Sequence, residues 1–79
     1  MRVDKFLKVS RIIKRRSVAN EACSGGRISI NGKSAKPGAR VKVGDVLEIS
    51  FGDKTIKAKI NDISDHVTKE NADKMYTVL

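Results

Sequence analysis

A chain of 79 residues has room for one domain with a thin core, because a domain of this size buries only roughly 60% of the surface its unfolded chain exposes. A deep substrate pocket is therefore not expected. With 17 Lys and Arg against 9 Asp and Glu the net charge is +8, which favours nucleic acid as a partner, then an anionic membrane surface, then an acidic protein.

From Arg2 to about Ile13 the apolar residues fall at helical spacing. Val3, Phe6, Leu7, Ser10 and Ile13 gather on one side, and Arg2, Lys5, Lys8, Arg11 and Arg15 spread over the other. Asp4 sits in the first turn, where a carboxylate interacts favourably with the helix dipole. Lys14, Arg15, Arg16 and Ser17 form a polar junction, with Ser17 as a candidate cap for a second helix running to about Ser24. On that helix Val18, Ala19, Ala22 and Cys23 make a narrow apolar stripe that fits against Phe6 and Leu7, and Gly25-Gly26 ends it.

Arg27 to Asn31 alternates, and Asn31-Gly32 is a hairpin signal leading into a return strand from Lys33 to Lys36 that Pro37-Gly38 breaks. Val41 and Val43 lead to a Gly44-Asp45 turn, then a strand from Val46 to Phe51 and a turn at Gly52-Asp53-Lys54. From Thr55 to Ile63, Ile56, Ala58 and Ile60 alternate with Lys57, Lys59 and Asn61, which describes a sheet with one wet face. Thr68 to Lys74 is expected to make about two helical turns, and Met75 to Leu79 an edge strand.

Groups that carry catalysis are missing. His66 is the only histidine and Cys23 the only cysteine, so neither a nucleophilic triad nor a zinc site is supported, and an internal disulfide is excluded. Cys23 reads as a small buried hydrophobe. Gly32-Lys33-Ser34 lacks the upstream glycine of a nucleotide-binding loop. No apolar run approaches the roughly 18 residues of a membrane span, and the early charges interrupt any secretory signal, so the cytoplasm is the expected location.

Cation density is what remains. Asp4 is the only acid among the first twenty residues, against Arg2, Lys5, Lys8, Arg11, Lys14, Arg15 and Arg16. Such a field binds phosphates, and guanidinium groups grip them with two hydrogen bonds. The aromatics are Phe6, Phe51 and Tyr76, too few for a platform that stacks splayed bases, so the expected partner is folded RNA recognised by shape. A membrane-surface helix is disfavoured because the apolar stripe lacks Trp and is needed to cover the sheet.

Arg2-Val3-Asp4, Leu7, Arg16, Ala19, the run Gly26 to Lys33, Pro37, Val41 and Val43-Gly44-Asp45 resemble the RNA-binding domain first described in the small-subunit ribosomal protein S-four. The likeness covers about residues 1–51. With Lys8-Val9-Ser10-Arg11, Lys14-Arg15-Arg16-Ser17 and Met75 to Leu79, the chain is further similar to the RqcP family, bacterial relatives of the fifteen-kilodalton heat-shock protein.

The resemblance implies an α+β fold, with two N-terminal helices on a small, mainly antiparallel sheet and a short C-terminal helix and strand, all one RNA-binding domain over residues 1–79. It implies a non-enzymatic factor without cofactor or metal, monomeric off the ribosome. Such a factor binds large ribosomal subunits that hold an obstructed peptidyl-tRNA, contacts 23S-type rRNA and tRNA, and supports an RqcH-type factor that adds C-terminal alanine tails. The expected RNA-binding residues are Arg2, Lys5, Lys8, Arg11, Lys14, Arg15, Arg16 and Lys33, with Asp4 ordering neighbouring cations. Arg15 stands where many such domains carry a capping Ser, so either Ser17 caps the second helix or that helix begins less firmly. A general structured-RNA or ribosome-assembly module, and a recognition domain for a separate modification enzyme, share the same features.

Overall fold

The computed structural model describes residues 1–79. Helices α1 (Val3–Val9) and α2 (Arg16–Ser24) precede strands β1 (Ile28–Ile30), β2 (Lys33–Ser34), β3 (Val46–Phe51) and β4 (Lys54–Ile60). A short 3-10 turn (Ala72–Met75) and strand β5 (Tyr76–Val78) complete the chain. The strands form one sheet in the order β2-β1-β3-β4-β5, with every pair antiparallel.

α1 buries Val3, Phe6 and Leu7 completely, and the stripe continues past the helix end through Ser10 and Ile13. Full burial of a side chain such as Phe6 contributes about 1.5–3 kcal/mol. The helix is shorter than its spacing predicts, ending at Val9 rather than about Ile13. Arg11 takes a left-handed conformation, φ 63°, while its N–H donates to the carbonyl of Lys8 and that of Ile13 to the carbonyl of Leu7. This turn rotates Ile13 back into the core, and no Gly or Pro at the site signals it.

α2 begins one residue earlier than expected, and Ser17 does not cap it. Arg15 occupies the capping position in extended conformation without a side-chain hydrogen bond, which leaves Ser17 exposed as the second helical residue. Ala19, Ala22 and Cys23 are buried, and their small size lets α2 pack on α1. Val18 departs from the predicted stripe and is 46% exposed. The helix closes with Arg27 N–H donating to the Ala22 carbonyl and Gly26 N–H to the Cys23 carbonyl, a paired arrangement that needs the left-handed Gly26, φ 77°.

The sheet presents Ile28, Leu47, Ile49, Ala58 and Ile60 to the helices and keeps Glu48, Lys57 and Lys59 on its wet face. Asn31 and Gly32, φ 51° and 85°, make the tight turn that the Asn-Gly pair predicts. The expected β5 lies at the sheet edge against β4. The two helical turns expected over residues 68–74 reduce to the 3-10 turn that buries Ala72 and Met75. Thr68, Asn71 and Asp73 are poor interior helix residues because their side chains compete for backbone partners.

Candidate RNA interface

The start of α1 is built into the fold by the backbone. Val3 N–H donates to the Ala39 carbonyl and Val41 N–H to that of Met1, so the first residues pair with the segment that follows the hairpin. Asp4, one residue into α1, is thereby fixed and only 2% exposed.

Four groups converge on its carboxylate. Arg2 Nη2 lies 3.2 Å from Oδ2 and Arg16 Nη2 3.5 Å from Oδ1. The Asn20 side-chain amide donates to Oδ2 at 3.4 Å and the Lys5 N–H to Oδ1 at 2.8 Å. Burial works to raise the carboxyl pKa, but the Asn20 hydrogen bond, the Lys5 amide and the Arg16 and Arg2 charges together hold it below the ordinary value. Asp4 is thus an ionised anchor. One negative charge against two guanidinium groups leaves an excess of one positive charge, and the Arg2 and Arg16 side chains stay 47% and 48% exposed.

The remaining predicted cations divide. Lys8, Arg11, Lys14 and Arg15 are exposed and form no ion pair within the protein, so their charge is available to a partner. Lys5 is half-buried and pairs with Asp65 at 3.4 Å, which couples it to the loop before the 3-10 turn. Lys33 is exposed but stands apart from the Asp4 group, on β2, an edge strand paired only with β1. Ser34 to Pro37, which follow it, border a cavity with Cys23 and Ser24, at the end of α2 opposite Arg16.

Two residues of this surface escaped the sequence reading. Asn20 is one helical turn after Arg16, a spacing that places both on one face of α2. Arg40 is the antiparallel bridge partner of Arg2, which sets two like charges side by side; no local pattern announces that pairing. Cys23 is buried, and burial, with the Asp4 charge second, pushes its thiol pKa up, consistent with a core role. His66 borders a polar surface cavity with Asp62, Ser64 and Thr68. No three His, Cys, Asp or Glu side chains converge to hold a metal, and no helix is long and apolar enough to cross a membrane.

Residues 1–47 match the S4 domain family. Over its full 79 residues the chain is 56% identical to the RQC P-site tRNA stabilizing factor of Listeria innocua, covering 86% of that protein. It is 53% identical to the Bacillus subtilis protein of the same name, covering 92% of it. The chain belongs to the S4 domain family and, within it, to the RQC P-site tRNA stabilizing factors. This is a non-enzymatic, RNA-binding family of ribosome-associated quality control. The fold also superposes on trimeric heat shock protein 15 of Vibrio cholerae with a TM-score of 0.91 and 31% identity, covering the whole of this chain and 81% of that one.

Within this S4 protein, two motifs of the family close on each other. Asp45 accepts from the Asn31 side-chain amide at 3.0 Å and from the Lys42 N–H at 2.9 Å, while the Asn31 side-chain oxygen accepts from the Val46 N–H at 2.9 Å. Their polar atoms hold the hairpin to the start of β3. The Arg2-Val3-Asp4 motif, by contrast, leaves Arg2, and Arg16 from α2, half-exposed.

Proposed function

We propose that residues 1–79 act as one RNA-binding domain that steadies P-site tRNA and contacts large-subunit rRNA through Arg2, Lys5, Lys8, Arg11, Lys14, Arg15, Arg16 and Lys33. The target is the large ribosomal subunit that still holds an obstructed peptidyl-tRNA, and the consequence is support for C-terminal alanine tailing by an RqcH-type factor. The protein works in the cytoplasm and is a monomer away from the ribosome. The observation that carries this reading is the Asp4 anchor, which fixes Arg2 and Arg16 half-exposed beside cations with no internal partner. That relatives above 50% identity are P-site tRNA stabilizing factors supports the tRNA as ligand.

Phosphate contacts of this kind make binding salt-dependent. Engagement of about six cations gives a log-log slope near −4 to −5. The test is co-sedimentation of the purified chain with large subunits carrying or lacking peptidyl-tRNA. Preference for the loaded subunit, lost when Arg15 and Arg16 are both changed to Ala, is the expected result. Equal sedimentation with both particles assigns the chain to general RNA binding instead, and undiminished association of the double variant removes the proposed face.

A further inference from the structure

Phe51 is the one strongly exposed aromatic ring of the chain, 43% exposed, whereas Phe6 is fully buried and Tyr76 half-buried. It lies at one wall of an open groove whose other walls are Ile13, Val18, Ala22 and Ile49, with Arg27 at the rim. Val18, 46% exposed, faces this space, and Ile56, 38% exposed, pairs with Ile49 on the same side of the sheet. The sheet outruns the helices here, which leaves apolar surface without a cover.

The groove holds about 250 Å³, below the roughly 300–1,000 Å³ of sites for drug-sized ligands. That size suits one planar group rather than a whole cofactor. Its polar lining is cationic: Arg27 forms no ion pair, and no carboxylate lines the space. The Arg27 guanidinium lies against Gly25, whose Cβ, if present, would be 3.6 Å from Nε and Nη2. It is thereby held at the carbonyl end of α2, where the helix dipole favours a cation. Lys54 faces Phe51 across the β3–β4 register. Ile13 runs directly into Lys14, Arg15 and Arg16, so a strand that follows those cations passes the mouth of the groove. The cavity around His66, which contains Asp62 and no aromatic side chain, offers none of this.

We propose that the Val18–Phe51 groove takes one unpaired nucleobase of the bound RNA, stacked on the Phe51 ring, while Arg27 holds the adjoining phosphate. The proposal rests on the RNA-binding reading and adds a second point of contact, made by side chains that are not part of the Asp4 anchor. An aromatic ring beside an unpaired guanidinium matches a nucleotide in both of its parts, the flat base and the anion. A lipid or an acidic peptide matches only one.

The test uses the full chain and two RNA hairpins that differ by a single bulged adenosine, with affinities measured by fluorescence anisotropy at fixed salt. The bulged hairpin is expected to bind about tenfold more tightly, the gain of one base–aromatic stack. Phe51→Leu should erase that difference while leaving the paired hairpin unchanged, Arg27→Ala should narrow it while weakening both hairpins through the lost charge, and Phe51→Tyr should keep it. Carbon-labelled Val18 methyls of the unaltered chain should shift upfield with the bulged hairpin alone, a readout that does not depend on the variants folding. Equal affinity for both hairpins, or unmoved Val18 methyls, overturns the site while the RNA reading stands. Val18 shifts produced by an acidic peptide but by neither hairpin make the groove a protein-docking surface and overturn it as well. If neither hairpin binds, the RNA reading fails and the site falls with it.

Discussion

Asp4 and Asp45 are the two buried carboxylates of this chain, and each is held by an asparagine from another element, Asn20 and Asn31. Around Asp45 the other partner is a backbone amide, that of Lys42, so the cluster is closed and its atoms serve the fold. Around Asp4 two guanidinium groups arrive as well, and each keeps about half of its surface in solvent. A similar buried acid therefore does two jobs: beside neutral donors it fastens a turn, and beside arginines it aims positive charge outward.

The largest effect expected from breaking this contrast is on the closed side. Asp45→Ala leaves the Asn31 amide and the Lys42 N–H without a protein acceptor and should cost about 3 kcal/mol of stability, read as a fall in the urea midpoint, with RNA affinity changed only through the unfolded fraction. On the open side, Arg16→Ala should weaken large-subunit binding by about 1–3 kcal/mol while the melting temperature moves little. If these two variants exchange phenotypes, the division between fastening and aiming is wrong.

Asp4→Asn sharpens the comparison further. It raises the net charge by one, so bulk attraction alone predicts tighter RNA binding; loss of the anchor predicts binding weaker by about 1 kcal/mol, and filter binding at low salt decides the sign. The same variant tests the pH dependence. The Asp4 pKa is held below its ordinary value of about 3.8 in the folded chain. Its stabilisation is therefore complete above the unfolded value and is lost as pH falls through the folded one. Stability should rise with pH in that acid window for the natural chain, and less so for Asp4→Asn in acid-unfolding titrations. The smallest effect belongs to Lys57→Ala on the wet face of β4, whose pair with Glu48 at 3.7 Å is exposed on both sides. Below about 0.5 kcal/mol is expected in either stability or binding.

Much of the site was legible because the cations are crowded into one stretch. The exposed state of Lys8 follows from the Phe6 and Leu7 stripe on the other face of α1, and that of Arg11, Lys14, Arg15 and Arg16 from their place in and beside the polar junction between the helices. The errors have a common source. α1 stops early because Arg11 takes the left-handed position that Gly26 fills at the end of α2, and a residue with a Cβ gives no warning of that conformation. Ser17 reads as a cap by composition, yet packing of Ala19 and Ala22 sets the phase of α2 and puts Arg15 in that place. Val18 belongs to the stripe by spacing and is left uncovered because the end of β3 at Phe51, in the middle of the sheet, extends past the helix.

What the sequence determined by itself are the features governed by neighbours a few residues apart. These are the helical stripe, the Asn31-Gly32 turn, the alternation of β1 and β4, the strand at the C-terminal end and the excess of positive charge near the start. What only the tertiary structure decided are the contacts between residues far apart in the chain: Asp4 with Arg16 and Asn20, Asn31 with Asp45, Arg2 beside Arg40, and the groove between α2 and Phe51. The physical reason is range. Backbone geometry and side-chain period act over one or two turns, whereas whether a charge is anchored, aimed or left free depends on which distant groups the packed core brings within hydrogen-bond reach.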